Sequence, residues 1–129
     1  MKAISNKLGL IPVSMYELLV DQIRSKTEVG QQIYPDLTQN RLISNEVVSG
    51  ILKARLNKAD CKLHGVVLEG FPKSDSQAKV LHEMHFEPDF VVYLDCSEAV
   101  AKSRLLAKAK ESGREGDERI ISERYAIFE

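Results

Sequence analysis

The stretch Val66 to Gln77, which reads V-V-L-E-G-F-P-K-S-D-S-Q, decides how this chain is interpreted. Its first three residues are apolar and mostly β-branched, as in a buried parallel strand, and the glycine and proline that follow end that strand. In open α/β sheets, ligands bind outside the carboxyl ends of the strands, where Glu69, Lys73 and Gln77 fall. Lys73 offers a point charge to a phosphate, and the Gln77 amide offers a donor and an acceptor to the edge of a base.

Length and composition indicate one globular domain without a strong overall electrostatic field. The 129 residues are 43% hydrophobic, which is enough for a core, and the 18 basic and 19 acidic side chains nearly cancel. Neither a nucleic acid nor a membrane surface is therefore expected as a partner. Cys61 and Cys96 lack metal-ligand spacing and indicate reduced thiols. Because the sequence has no long apolar run that could serve as a membrane span or signal peptide, a cytoplasmic location is expected.

Upstream of the central stretch, the pattern predicts a short strand and several helices. Residues 1–8 are typical of the end of a helix closed by Gly9, and residues 10–14 of a strand. Helices are expected to begin after Ser14, at Thr27 with Pro35 kinking or shortening it, and after Ser44. The last of these is expected to run from about residue 45 to residue 57.

Downstream, the pattern predicts a helix over 74–85 with Ala78, Leu81 and Met84 facing inward, followed by a second buried strand at 90–95. A helix over 97–110 and a last helix over 118–128 follow. His82 and His85 have a spacing that can bind metal, but the sequence offers no third ligand, so no metal site is expected there.

The central stretch resembles the strand, turn and helix of adenylate kinases and related nucleoside-monophosphate kinases. Their usual form is D-G-F/Y-P-R with a Gln four residues after the Arg. The glycine, phenylalanine, proline and glutamine of that form are present, whereas Glu69 stands in place of the Asp and Lys73 in place of the Arg. The stretch 111–117, E-S-G-R-E-G-D, similarly resembles the lid of the short-lid members.

The resemblance implies an α/β fold in one domain over residues 1–129. Its core would be a partial P-loop-kinase-like parallel sheet flanked by helices. Residues 14–57 would form a helical subdomain that binds the monophosphate, and residues 111–117 a short lid. In the family, a first strand lies between the strands that the runs at 66–68 and 91–94 resemble. That strand has no counterpart here, so the gap is expected to be filled by residues outside this sequence, by a strand from another chain, or by direct pairing of the two runs.

The resemblance also implies an activity and its residues. The activity is reversible phosphoryl transfer between ATP and a nucleoside monophosphate, with Mg²⁺ held through water by Glu69 rather than directly. The residues implied to bind the monophosphate are Ser14, Ile43, Glu69, Gly70, Lys73 and Gln77. The residues implied to stabilise charge on the transferring phosphoryl group are Arg104, Lys108, Arg114 and Arg124.

Several positions depart from the family pattern. Met15 and Tyr16 replace a Thr-Gly pair that lines the nucleotide, and Val20 replaces an arginine whose fork grips a phosphate in two places. The sequence also contains no G-x-x-x-x-G-K-[ST] loop, which in the family cradles the donor phosphates. Because phosphoryl transfer depends on positioning and charge stabilisation, this chain alone is not expected to be an efficient kinase.

Four interpretations stay open at this point. The first is a degenerate or incomplete kinase-like domain that is not catalytic as this chain alone. The second is an interior fragment of an active adenylate or UMP/CMP kinase. The third is a kinase-derived scaffold or interaction module of a larger assembly, with a protein partner or neighbouring segment at the strand edges. The last is an unrelated α/β module.

Overall fold

A two-stranded parallel sheet carries the candidate site. The computed structural model describes residues 1–39, 41 and 43–111, and within them β1 (Ile11–Ser14) pairs with β2 (Val66–Glu69). The register places Ile11 opposite Val66 and Ser14 opposite Glu69. Pro12 has no N–H to donate, which suits the position of β1 at an edge of the sheet. The carboxyl ends of both strands therefore lie side by side, and the expected α/β class with a parallel sheet is confirmed.

Helices flank and connect these strands. Their bounds in the described chain are α1 (Lys2–Leu8), α2 (Met15–Arg24), α3 (Glu28–Thr38), α4 (Asn45–Leu56), α5 (Ala59–His64), α6 (Asp75–Glu83) and α7 (Glu98–Glu111). Gly9 ends α1 in the left-handed conformation, as its place in the sequence predicts. α3 continues past Pro35 to Thr38, so the proline does not end the helix. No helix in the described chain combines the length and the apolarity that a membrane crossing requires.

Hydroxyl side chains cap the starts of four of these helices. Each accepts a hydrogen bond from the backbone N–H three residues later, which satisfies a donor that the helix itself leaves unpaired. The pairs are Ser14 with Glu17, Thr27 with Gly30, Ser44 with Val47, and Ser74 with Gln77. Local sequence thus fixes where the elements around the sheet begin.

The apolar core lies within residues 1–88, one of two units into which the chain divides. Its buried side chains come from β1, from five of the helices and from the turn after β2: Val13, Met15, Leu19, Ile33, Val48, Leu52, Cys61, Phe71 and Leu81. α3 packs very closely on α2 at Gly30, where an added Cβ would lie 2.1 Å from the carbonyl oxygen of Gln22. This core holds the sheet and the helix starts around it in fixed positions.

The prediction of a second buried strand at 90–95 is wrong. Residues 90–97 form neither helix nor strand, and the side chains of 90–94 are 67% to 90% exposed. A strand needs a partner for its backbone groups, and direct pairing of this run with β2 is absent from the described chain. Val100 and Leu105 of the following helix, α7, are also exposed.

Smaller differences concern helix ends and one helix that the sequence pattern did not predict. α5 was not predicted; it is a short helix that Gly65 ends at φ 73. α6 ends at Glu83 rather than at residue 85, and Ala78 on it is exposed rather than inward-facing. Residues 112–117 of the expected lid and the helix expected over 118–128 lie outside the described residues.

Candidate functional site

The edge where β1 and β2 end holds three of the predicted site residues. Ser14 lies opposite Glu69 in the last pair of the ladder, and the Ser14 hydroxyl accepts from the backbone N–H of Glu17 at 3.5 Å. Gly70 follows with φ 79, a conformation that glycine adopts without strain. An added Cβ at Gly70 would lie 3.7 Å from the Cβ of Met15, an ordinary contact, so backbone conformation rather than space favours glycine there.

The turn after β2 presents a lysine to solvent. Phe71 is 5% exposed and belongs to the core, and this anchors the turn. Two residues later the Lys73 side chain is exposed, while its backbone N–H donates to Oε1 of Gln77 at 2.7 Å. The backbone of Lys73 is therefore fixed near the sheet edge, and its charged side chain extends from that position into solvent.

Gln77 is tied into the protein at both ends of its side-chain amide. Oε1 accepts from Lys73, and Nε2 donates to Oδ1 of Asn45, the first residue of α4, at 3.3 Å. Asn45 Nδ2 donates to the Ser76 hydroxyl at 3.1 Å, and that hydroxyl lies 2.9 Å from the hydroxyl of Ser74. These bonds form an amide-hydroxyl cluster, defined as Asn45, Lys73, Ser74, Ser76 and Gln77, that joins the starts of α4 and α6.

Ile43 precedes this cluster in the chain by two residues. Its half-buried side chain packs against the core, which fixes the segment that leads into α4. The structure therefore brings Ile43 into the same unit as the sheet edge, the lysine and the glutamine.

Two of the predicted phosphoryl-transfer residues, Arg104 and Lys108, belong to the second unit, residues 89–129. Arg104 and Lys108 lie one turn apart on α7, and both are exposed. Arg114 and Arg124 lie outside the described residues. Within the described chain, no group of three His, Cys, Asp or Glu side chains could hold a metal ion.

Two of the departures on α2, Tyr16 and Val20, lie along one side of that helix, whereas Met15 is buried in the core. Tyr16 is 64% exposed and Val20 is half-buried. A shallow groove runs along this side, lined by Tyr16, Glu17, Val20, Asp21 and Arg24. Arg24 reaches Asp21 at 3.8 Å through an exposed contact. This side of α2 thus has a positive charge at Arg24, but not at Val20, where the family pattern has an arginine.

A separate ion pair holds α4 against α5. The Arg55 guanidinium donates to both carboxylate oxygens of Asp60, at 2.9 and 2.8 Å, and to the Cys61 sulfur at 2.9 Å. The hydrogen bonds from Arg55 hold the pKa of Asp60 below its usual value. Burial raises the pKa of the Cys61 thiol, although the Arg55 charge opposes that shift. Cys61 is therefore a neutral core residue rather than a nucleophile.

Sequence reasoning missed Asn45 and Ser76. Their signal was limited to helix starts, since Ser44-Asn45 and Ser74-Asp75-Ser76 are both typical of caps. Which two helix starts meet depends on tertiary packing, and the local pattern does not carry that information.

Comparisons with known proteins point to one family. The family model described as adenylate kinase matches residues 1–129. An adenylate kinase of Leptospira biflexa is 34% identical over 118 residues, which cover 88% of this chain and 63% of that protein. Adenylate kinase 8 of Danio rerio is 32% identical over 108 residues, covering 84% of this chain and 22% of that protein. For an adenylate kinase of Thermosipho melanesiensis, the identity is 32% over 108 residues, and the shares are 81% and 50%. This chain spans about a fifth to less than two thirds of each of these relatives.

Proposed function

The chain belongs to the adenylate kinase family, and from this premise we propose that it supplies the monophosphate side of a nucleoside-monophosphate kinase reaction. In that reaction the terminal phosphoryl group of ATP passes to a phosphate oxygen of the monophosphate, giving two diphosphates. The observation that carries the proposal is the in-register pairing of Ser14 with Glu69, because it sets the ends of both strands beside the turn that presents Lys73.

Each candidate residue has a chemical task in this proposal. Lys73, exposed and charged, attracts the phosphate of the monophosphate. The remaining donor and acceptor of the Gln77 amide meet the edge of the base, and Ile43 and Gly70 contribute to the same site. Ser14 holds the start of α2 at this edge.

Magnesium enters the proposal only with ATP. Mg²⁺ keeps several of its waters and takes one or two carboxylates together with nucleotide phosphates. Glu69 is exposed at the sheet edge and fits such a water-mediated contact. The ion would neutralise phosphate charge when bound.

We further propose that this chain alone does not transfer phosphoryl groups efficiently. Val20 cannot replace a guanidinium fork, and Lys73 keeps the charge of an arginine without its two-point geometry. Residues 1–129 contain no G-x-x-x-x-G-K-[ST] loop. Arg104, Lys108, Arg114 and Arg124 remain the residues that the family resemblance implies for stabilising charge on the transferred phosphoryl group. An interaction module is the second candidate, favoured by the exposed apolar run at 90–94.

A thermal-shift titration with AMP, UMP and Mg·ATP tests the proposal. A ligand that binds only the folded state at a hundred times its Kd stabilises by about 2.7 kcal/mol, which raises the melting temperature by several degrees. A saturable, base-dependent rise is expected, and Lys73→Ala and Gln77→Ala should each abolish it. Lys79→Ala is the matched control, because Lys79 is an exposed lysine on the same helix as Gln77. A chain that melts cooperatively and shows no shift at millimolar monophosphate would refute the proposed site.

A further inference from the structure

We propose that Asn45 is a positioning residue of the monophosphate site, which holds the Gln77 amide in one orientation toward the base. The inference rests on the proposed function, in which Gln77 meets the base. It concerns a residue on a different helix from Gln77, 32 positions away in the chain.

One backbone group determines the direction of the hydrogen bonds in the amide-hydroxyl cluster. The N–H of Lys73 can only donate, so the end of the Gln77 amide that faces it at 2.7 Å must be the oxygen. The nitrogen then lies at the other end and requires an acceptor, which Asn45 Oδ1 supplies. The Asn45 nitrogen in turn faces the Ser76 hydroxyl. Each amide in the cluster thus has a single favourable orientation.

Two anchors determine what the Gln77 amide can offer to a ligand. A carboxamide oxygen accepts up to two hydrogen bonds and its nitrogen donates two, and the protein uses one of each. One acceptor and one donor remain for a base edge. If the Asn45 anchor is removed, the amide is held at Oε1 alone and can turn about that bond. Fixing the amide beforehand removes an ordering cost from binding.

The Asn45 side chain is not required for the start of its helix. Ser44 makes the capping hydrogen bond of α4, to the N–H of Val47, and Asn45 follows as the first helical residue. Alanine is a better helix former than asparagine at a helical position. Replacing Asn45 therefore removes the link to Gln77 and Ser76 while α4 keeps its cap.

The test measures the binding of AMP and of ribose 5-phosphate to the full chain by calorimetry. The variants are Asn45→Ala and Asn45→Asp, where the aspartate keeps an oxygen that can accept from Gln77. Ser49→Ala is the matched control, because the Ser49 hydroxyl bonds only to backbone carbonyls of its own helix, those of Asn45 and Glu46. Melting curves of each variant establish that it is folded.

Because Asn45→Ala removes one hydrogen bond to Gln77, we expect it to weaken AMP binding about three- to ten-fold. Asn45→Asp and Ser49→Ala should stay within about two-fold of the original chain. Ribose 5-phosphate has no base, so its affinity should be the same in all variants; a merely structural role would weaken both ligands. Unchanged AMP binding in a folded Asn45→Ala variant would overturn this inference and leave the proposed function intact. Failure of the original chain to bind any monophosphate would overturn both.

Discussion

Two apolar runs of this chain have similar composition, but one forms a strand and the other does not. Val66–Leu68 and Phe90–Leu94 are both short, apolar and rich in valine, and the sequence predicted a buried strand from each. The first forms β2, paired with β1 in parallel and packed on the core through Val66 and Leu68. The second forms neither helix nor strand, and its side chains are largely exposed. Apolar, β-branched composition therefore indicates the capacity to form a strand, and a partner in register decides whether the strand forms.

The largest expected effect compares one leucine from each region. Leu52 in α4 is 0% exposed and Leu94 in the exposed run is 83% exposed. Leu52→Ala should lower the free energy of unfolding by about 2 to 5 kcal/mol, because it removes buried methyl groups and leaves a cavity. Leu94→Ala should change it by less than about 0.5 kcal/mol. Urea unfolding of both variants measures the difference; equal losses would mean that residues 90–94 are buried in solution.

A smaller effect is expected where α2 and α3 approach each other. Gly30→Ala would place a Cβ 2.1 Å from the Gln22 carbonyl oxygen, so the helices must move apart. Overpacking of this kind costs about 1 to 3 kcal/mol. Gly50→Ala is the matched control, since Gly50 lies in α4 with nothing within 4 Å of an added Cβ. That change should stabilise the chain by up to about 1 kcal/mol through helix propensity.

Thermal unfolding of the two glycine variants separates close packing from propensity. If Gly30→Ala melts at the same temperature as the original chain, the two helices have room that the structure does not show. If both substitutions raise the melting temperature, propensity dominates at both sites.

Local signals explain which parts of the fold were predictable. Ser14, Ser44 and Gly9 act within one turn of their own helix, so the sequence alone located these helix ends. β1 and β2 were also predicted, although their pairing depends on residues more than fifty positions apart. The run at 90–95 failed because no local feature indicates whether a partner strand is present.

The candidate site divides in the same way. The turn around Gly70 and the exposure of Lys73 follow from the sequence after β2. The contact between Asn45 and Gln77 joins two helix starts that are far apart in the chain, so no local pattern predicted it. Gln77 was predicted to face a ligand, and its contacts with Lys73 and Asn45 add a second task, that of joining the turn to α4.

The smallest predicted effect separates ionic from apolar stabilisation within the first region. Hydrogen bonds from Arg55 lower the pKa of Asp60, so the folded state binds a proton less readily than the unfolded state. The resulting stabilisation is fully present above the ordinary aspartate pKa and is lost as the pH falls through the lowered one. We expect Arg55→Ala to reduce the pH dependence of the unfolding free energy on the acid side, below about pH 4.

Urea unfolding of the original chain and of Arg55→Ala at several acidic pH values measures this effect. Arg24→Ala is the control, since its contact with Asp21 is 3.8 Å long and both side chains are mostly exposed. Exposed pairs of this kind contribute little, so Arg24→Ala should keep the original acid dependence. If the unfolding free energy falls equally with acid pH in all three proteins, the Arg55–Asp60 pair adds nothing to the stability of the region in which Leu52 is buried. If the unfolding free energy depends less on acid pH in Arg55→Ala alone, the acid sensitivity of the contact between α4 and α5 is due to the Asp60 carboxylate.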